Sequence, residues 1–85
     1  MELKQLRDEL DRIDDAIMAL FAQRMATVKK VAEAKLQSDA AIADPERERE
    51  ILRRTSAQVQ PELTRYARIL MHTLFDASRA YQRTL

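Results

Sequence analysis

"ELKQLRDELDRIDDAIMALFAQRMATVKKVAEAKLQS", residues 2–38, decides the fold. It contains neither proline nor glycine, and Leu3, Leu6, Leu10, Ile13, Ile17 and Leu20 recur at heptad spacing, followed after a break by Val28, Val31 and Ala34. A helix of about 36 residues is about 54 Å long at ~1.5 Å per residue. A compact chain of 85 residues has a radius of gyration of only about 12 Å. The first helix must therefore project from its own monomer, and its apolar stripe is left wet. A patch of that size calls for a partner, most simply an identical chain related by a two-fold axis.

The rest of the chain is helical as well. Glycine is absent, and both prolines, Pro45 and Pro61, stand where a helix can restart. After a loop at residues 37–43, Asp44 is a good N-cap and Pro45 a good first helical residue. The expectation is an all-α single domain over residues 1–85, with helices at about 2–38, 45–57 and 61–84. These are long, short and medium, and an antiparallel homodimer is the expected assembly. There is no internal repeat and no low-complexity segment.

Composition excludes several function classes. Lys plus Arg number 15 against 14 Asp plus Glu, which leaves no broad positive field for nucleic acid. The absence of cysteine removes disulfides, thiolate nucleophiles and cysteine metal sites, and the one histidine, His72, is too few for a His-rich centre. No apolar run approaches the ~20 residues of a membrane span, and the N-terminus is too charged for a signal peptide. The chain is expected to be soluble and cytoplasmic, with no metal or cofactor.

Charges in the wrong places carry the functional signal. Continuing the heptad puts Arg24 on an a position, in line with Ile17 and Val31, while Arg7 and Lys35 share a flanking e position with Phe21 and Val28. A charge on such a seam is costly unless something pairs with it, and the stripe offers no matching acid except Asp14. Snorkelling at the seam's edge or a register-setting role accounts for any one of these cations more easily than for all three. Arg7 and Arg24 are about 25 Å apart along the axis, so one small ligand cannot touch both within a chain. An antiparallel dimer with its axis near Met18 brings Arg7 of one chain opposite the stretch between Arg24 and Lys35 of the other.

The segment "IADPERERE", residues 42–50, divides by helical phase. Ile51 and Leu52 mark the apolar face, and at about 100° per residue Glu48 falls almost at its centre, with Asp44 nearby and Arg47 on the edge. Glu46, Arg49 and Glu50 stay wet, and Glu50 is expected to pair with Arg54. Asp44 caps the helix and Glu48 is favoured by its dipole, but the dipole does not explain an inward phase. On the third helix Ser78 lies one turn beyond Leu74 and Gln82 one turn beyond Ser78, so both can face the bundle. Tyr66, Phe75, Tyr81 and the methionines are expected in core or interface.

Taken in order, Arg7, Arg24, Lys35, "DPEREREIL" and "SRAYQ" resemble the all-helical AroQ class of chorismate mutases, including the mutase domain of bifunctional prephenate dehydratases. "LRDELDRIDDAIMALFAQR" is a similar opening, and "AEAKL" puts Lys35 at the family's lysine. The resemblance implies an intertwined homodimer whose sites mix both chains, and a substrate, chorismate, that is a dicarboxylate rearranging to prephenate through a chair-like pericyclic transition state. It further implies that Arg24 and, from the partner chain, Arg7 clamp the carboxylates, and that Lys35 and Gln82 donate to the ether oxygen. Arg47 would add positive charge, Asp44 and Glu48 would engage the ring-hydroxyl side, and Ser78 would bond a carboxylate. Met25 departs from the family, standing where a second arginine can follow the first.

Three other readings compete. The related isochorismate pyruvate lyase keeps the cationic set, and Glu48 with Ser78 favours the mutase over it. A non-catalytic ligand-sensing domain on the same scaffold would bind without turnover. A purely structural helical dimer would tolerate the loss of Arg24.

Overall fold

The computed structural model of the chain describes residues 2–38 and 40–85, and among them every regular element is helical, with no strand. Helix α1 spans Leu3–Ser38, α2 Pro45–Ser56 and α3 Thr64–Arg83, the last preceded by a 3-10 turn at Pro61–Leu63. One residue of the loop expected between α1 and α2, residue 39, lies outside the described residues.

Local chemistry fixes these bounds. The Asp44 side chain accepts from the Arg47 backbone N–H at 3.1 Å, and Pro45 supplies the fixed φ of a first helical residue. The second helix stops at Ser56, one residue short of expectation, with Ala57 as its C-cap. Pro61 opens the third segment, but α geometry begins only at Thr64. The tighter 3-10 winding of residues 61–63 is a common way into a helix whose first positions lack a side-chain cap.

α3 packs against both α1 and α2. The core so formed is small: Phe75, 3% exposed, and Ala32 are its buried apolar residues, and Ser78 is buried beside them. Phe75 meets the His72 ring edge-on, with centroids 5.8 Å apart. Tyr66, by contrast, is exposed.

Along α1, cover begins only at Phe21; residues 2–20 are exposed throughout. Leu3, Leu6, Leu10, Ile13, Ile17 and Leu20 thus lie open to solvent. The chain has a radius of gyration of 15.8 Å and a longest extent of 54 Å. Its accessible surface is 6953 Å², against roughly 5,200 Å² for a compact monomer of 9.9 kDa. A wide apolar groove between α1 and α3 contributes to the excess, lined by Ile17, Met18, Leu20, Phe21, Leu70 and Leu74. Among the described residues no helix is long and apolar enough to cross a membrane.

Candidate active site

The three helices converge on a cleft of about 180 Å³, several times the ~30 Å³ share of one water. α1 contributes Arg24 and Lys35, α2 Arg47 and Glu48, α3 Ser78, Arg79 and Gln82, and Asp44 lines it at the start of α2. Seven of the eight residues singled out from the sequence therefore meet here. The eighth, Arg7, stands on the uncovered half of α1 and does not reach the cleft of its own chain.

Arg24 occupies the a position of the seam and is partly covered, while Ile17 and Val31 on the same stripe stay exposed. Its Nη1 donates to the Ser78 hydroxyl at 2.5 Å, and that hydroxyl in turn donates to the Leu74 carbonyl at 2.7 Å. Burial lowers the Arg24 pKa from its ordinary value. Among the described residues no carboxylate forms an ion pair with it. A half-buried guanidinium facing only a neutral hydroxyl is a charge whose complement has been left out, and the arrangement favours an anion.

Lys35, eleven residues further along α1, donates from Nζ to the Ile42 carbonyl at 2.9 Å. An ammonium has three donors, so this bond ties the loop to α1 while leaving the head group capacity for a ligand. Among the described residues, Gln82 Oε1 is buried with no hydrogen-bond partner. A buried polar atom left without a partner costs about 1–3 kcal/mol, and Gln82 stands on the cleft wall where a polar ligand group can reach its amide.

On α2, Asp44 serves as the N-cap, while Glu48 turns inward as its phase requires. Arg47 lines the cleft but its Nη1 donates to Glu50 Oε1 at 2.6 Å, which holds its head group at the rim. The outward pair expected between Glu50 and Arg54 is thus replaced by one with Arg47. Both acids and bases three or four apart are neighbours on a helix surface, and here the N-terminal neighbour takes the contact.

The residue that sequence reasoning missed is Arg79. It pairs with Glu48 across the α2–α3 contact, and its Nη2 donates to Asp76 Oδ1 at 2.6 Å on its own helix. The hydrogen bond to Glu48 raises the Arg79 pKa, outweighing the lowering by partial burial, and Asp76 adds to the rise. A signal was available: an inward Glu48 needs a cation, and Arg79 lies one residue beyond an inward serine.

Four cationic side chains, Arg24, Lys35, Arg47 and Arg79, line the cleft against two carboxylates, Asp44 and Glu48. The lining carries two positive charges in excess, the complement of a dianion. Among the described residues no group of acidic and histidine side chains is arranged to hold a metal ion.

The family model of chorismate mutase type II matches residues 6–83. The chain belongs to the chorismate mutase type II family. It is 48% identical over 50 residues to a bifunctional chorismate mutase/prephenate dehydratase of Aquifex aeolicus, covering 59% of this chain and 14% of that one. A chorismate mutase of Methanocaldococcus jannaschii is 44% identical over 50 residues, covering 59% of this chain and 50% of its own length. A second bifunctional chorismate mutase/prephenate dehydratase, of Buchnera aphidicola, is 42% identical over 48 residues, or 56% of this chain and 12% of the relative. The chain thus spans half or less of the length of these relatives. No solved structure matches it.

Proposed function

We propose that this chain is a chorismate mutase, converting chorismate to prephenate as an isomerase of aromatic amino acid biosynthesis in the cytoplasm. The observation that carries the reading is Arg24: a half-buried guanidinium with no carboxylate partner, bonded to Ser78 in a cleft with a surplus of two positive charges. The reaction needs no nucleophile, metal or proton transfer. It needs the reactive diaxial conformer to be frozen and negative charge on the ether oxygen to be met by donors already in position.

In this reading Arg24 holds one carboxylate with its planar fork, and Ser78 orients Arg24 and bonds the same carboxylate by turning its one proton from the Leu74 carbonyl to it. Lys35 and the Gln82 amide group donate to the ether oxygen as the C–O bond breaks. The place of Gln82 on the cleft wall beside Lys35 supports that role, with the donation coming from Nε2 of the amide. Arg47 adds positive potential from the rim, while Glu48 accepts from the ring hydroxyl, with Asp44 on the same side of the cleft.

The second carboxylate is assigned to Arg7 of a second copy of the chain. Support comes from the bare half of α1 and from area. An excess surface of roughly 1,700 Å² per chain amounts to roughly 3,400 Å² for two, within the range of obligate homodimers. The apolar groove beside Ile17 and Leu70 is the seat for the partner's α1.

The test follows the loss of chorismate absorbance in the ultraviolet with prephenate identified as product, repeated on Arg24→Ala and Lys35→Ala. Wild-type turnover with both variants down by on the order of 10²- to 10³-fold supports the assignment. Full activity in both variants would falsify it.

A further inference from the structure

We propose that Arg79 is a positioning residue of this site, acting on the substrate through Glu48 without touching it. The proposal rests on the mutase reading, and it starts from the problem that Glu48 poses. Its carboxylate, 26% exposed, stands at the inner face of α2 on a wall shared with Ile51 and Phe75. A carboxylate in such surroundings is expensive as an ion and, left alone, turns to water. That turn would spoil it as an acceptor for a ring hydroxyl.

Arg79 answers both difficulties at once. Its guanidinium supplies the opposite charge from α3, 31 residues away in sequence, and the rise in its own pKa reflects the same bond. The plane of that guanidinium is in turn fixed by Asp76, one turn back on α3. Two anchors on a rigid planar fork define an orientation, where a single contact would define only a distance. One Glu48 oxygen is thereby occupied, and the carboxylate is held with its remaining acceptor capacity available to the cleft.

The charge arithmetic leads to the same role. Arg79 is neutralised by Glu48 and Asp76, so it adds nothing to the attraction for a dianion. Among the described residues Arg24 and Lys35 pair with no carboxylate, and these two carry that attraction. Arg79 therefore contributes to discrimination at the ring hydroxyl, and its loss leaves recognition of the carboxylates in place.

The experiment uses the whole chain, with Arg79→Met, Arg79→Lys, Asp76→Asn and the double variant Arg79→Met with Glu48→Gln. Each is assayed for kcat, KM and Tm on chorismate and on its analogue methylated at the ring hydroxyl. The expected results are a fall in kcat of roughly 10- to 100-fold for Arg79→Met, partial recovery with lysine, and a smaller loss for Asp76→Asn at its exposed position. The preference for chorismate over the methylated analogue shrinks in Arg79→Met, and adding Glu48→Gln costs little more because the two residues act as one unit. An Arg79→Met chain that lowers Tm while kcat, KM and the preference stay at wild-type values overturns the proposal. Should that variant fail to fold, Arg79→Lys and Asp76→Asn decide in the same way: wild-type kcat and preference in both overturn it. A wild-type chain inert on chorismate removes the underlying reading instead, which separates the two failures.

Discussion

Ser78 and Arg79 are consecutive on α3 and turn to different helices: Ser78 accepts from Arg24 of α1, and Arg79 pairs with Glu48 of α2. Successive residues on a helix point about 100° apart. One step of sequence therefore ties both neighbouring helices to α3 and supplies two walls of the cleft with oriented charge.

The Arg24 tie predicts a separation of activity from stability. Ser78→Ala removes the hydroxyl that orients Arg24 and leaves the guanidinium facing the cleft without an acceptor. Activity falls by about 10-fold or more, since misplacement of a positioning group is costly. Arg24→Ala loses more activity, while its stability is unchanged or raised because a half-buried unpaired charge is gone. Steady-state kinetics beside urea titrations measure both effects; a variant that loses stability in proportion to rate contradicts the assignment.

A shared site predicts complementation. Arg7→Ala and Arg24→Ala homodimers are each impaired, but a mixed dimer holds one site with both arginines intact. After mixing, unfolding and refolding in equal amounts, half of the dimers are mixed and half of their sites are whole, so about a quarter of wild-type activity returns. No recovery in a sample shown to exchange subunits argues for sites contained within one chain.

The amide at position 82 predicts a flat pH profile, with activity persisting at neutral and mildly alkaline pH, because an amide donates without taking up a proton. Gln82→Glu reverses this. Burial raises the pKa of a carboxyl group, its donating form is the protonated one, and activity in that variant falls as pH rises through the raised value. A pH–rate profile of both proteins is the check, and a wild-type profile collapsing between about pH 5 and 7 is incompatible with Gln82 as the donor.

Phe75 predicts how thin the core is. It is the one large apolar side chain among the described residues that is buried, at 3% exposure. Replacing a buried Phe with Ala costs about 3–5 kcal/mol, a large part of the stability of a small domain. Circular dichroism during urea titration is expected to register Phe75→Ala as largely unfolded.

Much of this was legible in the sequence because the first helix has no breaker. Its length alone, set against the size of a compact chain, forced it out of its own monomer, and heptad phase then exposed Arg24 and Lys35 as charges on an apolar stripe. Phase likewise turned Glu48 inward. Periodicity assigns a face but no partner, and so it could not find Arg79, whose importance arises only when α2 and α3 lie together. The same limit applies to Arg47: its edge position was correct, yet the side chain chose Glu50 over the cleft interior, a competition between exposed rotamers that sequence does not resolve. The 3-10 start of the third segment escaped notice because Pro61 serves either kind of helix.

That start has a consequence for how the chain tolerates change. Pro61 begins a new winding, so lengthening or shortening residues 57–60 moves α3 as a body and leaves its internal phase alone. A one-residue insertion between Phe75 and Ser78 would instead rotate Ser78, Arg79 and Gln82 together by about 100° relative to Phe75, turning three cleft residues away at once. Evolution is free to edit the connection and is denied the helix, and related chains should differ in length before the proline far more often than after it.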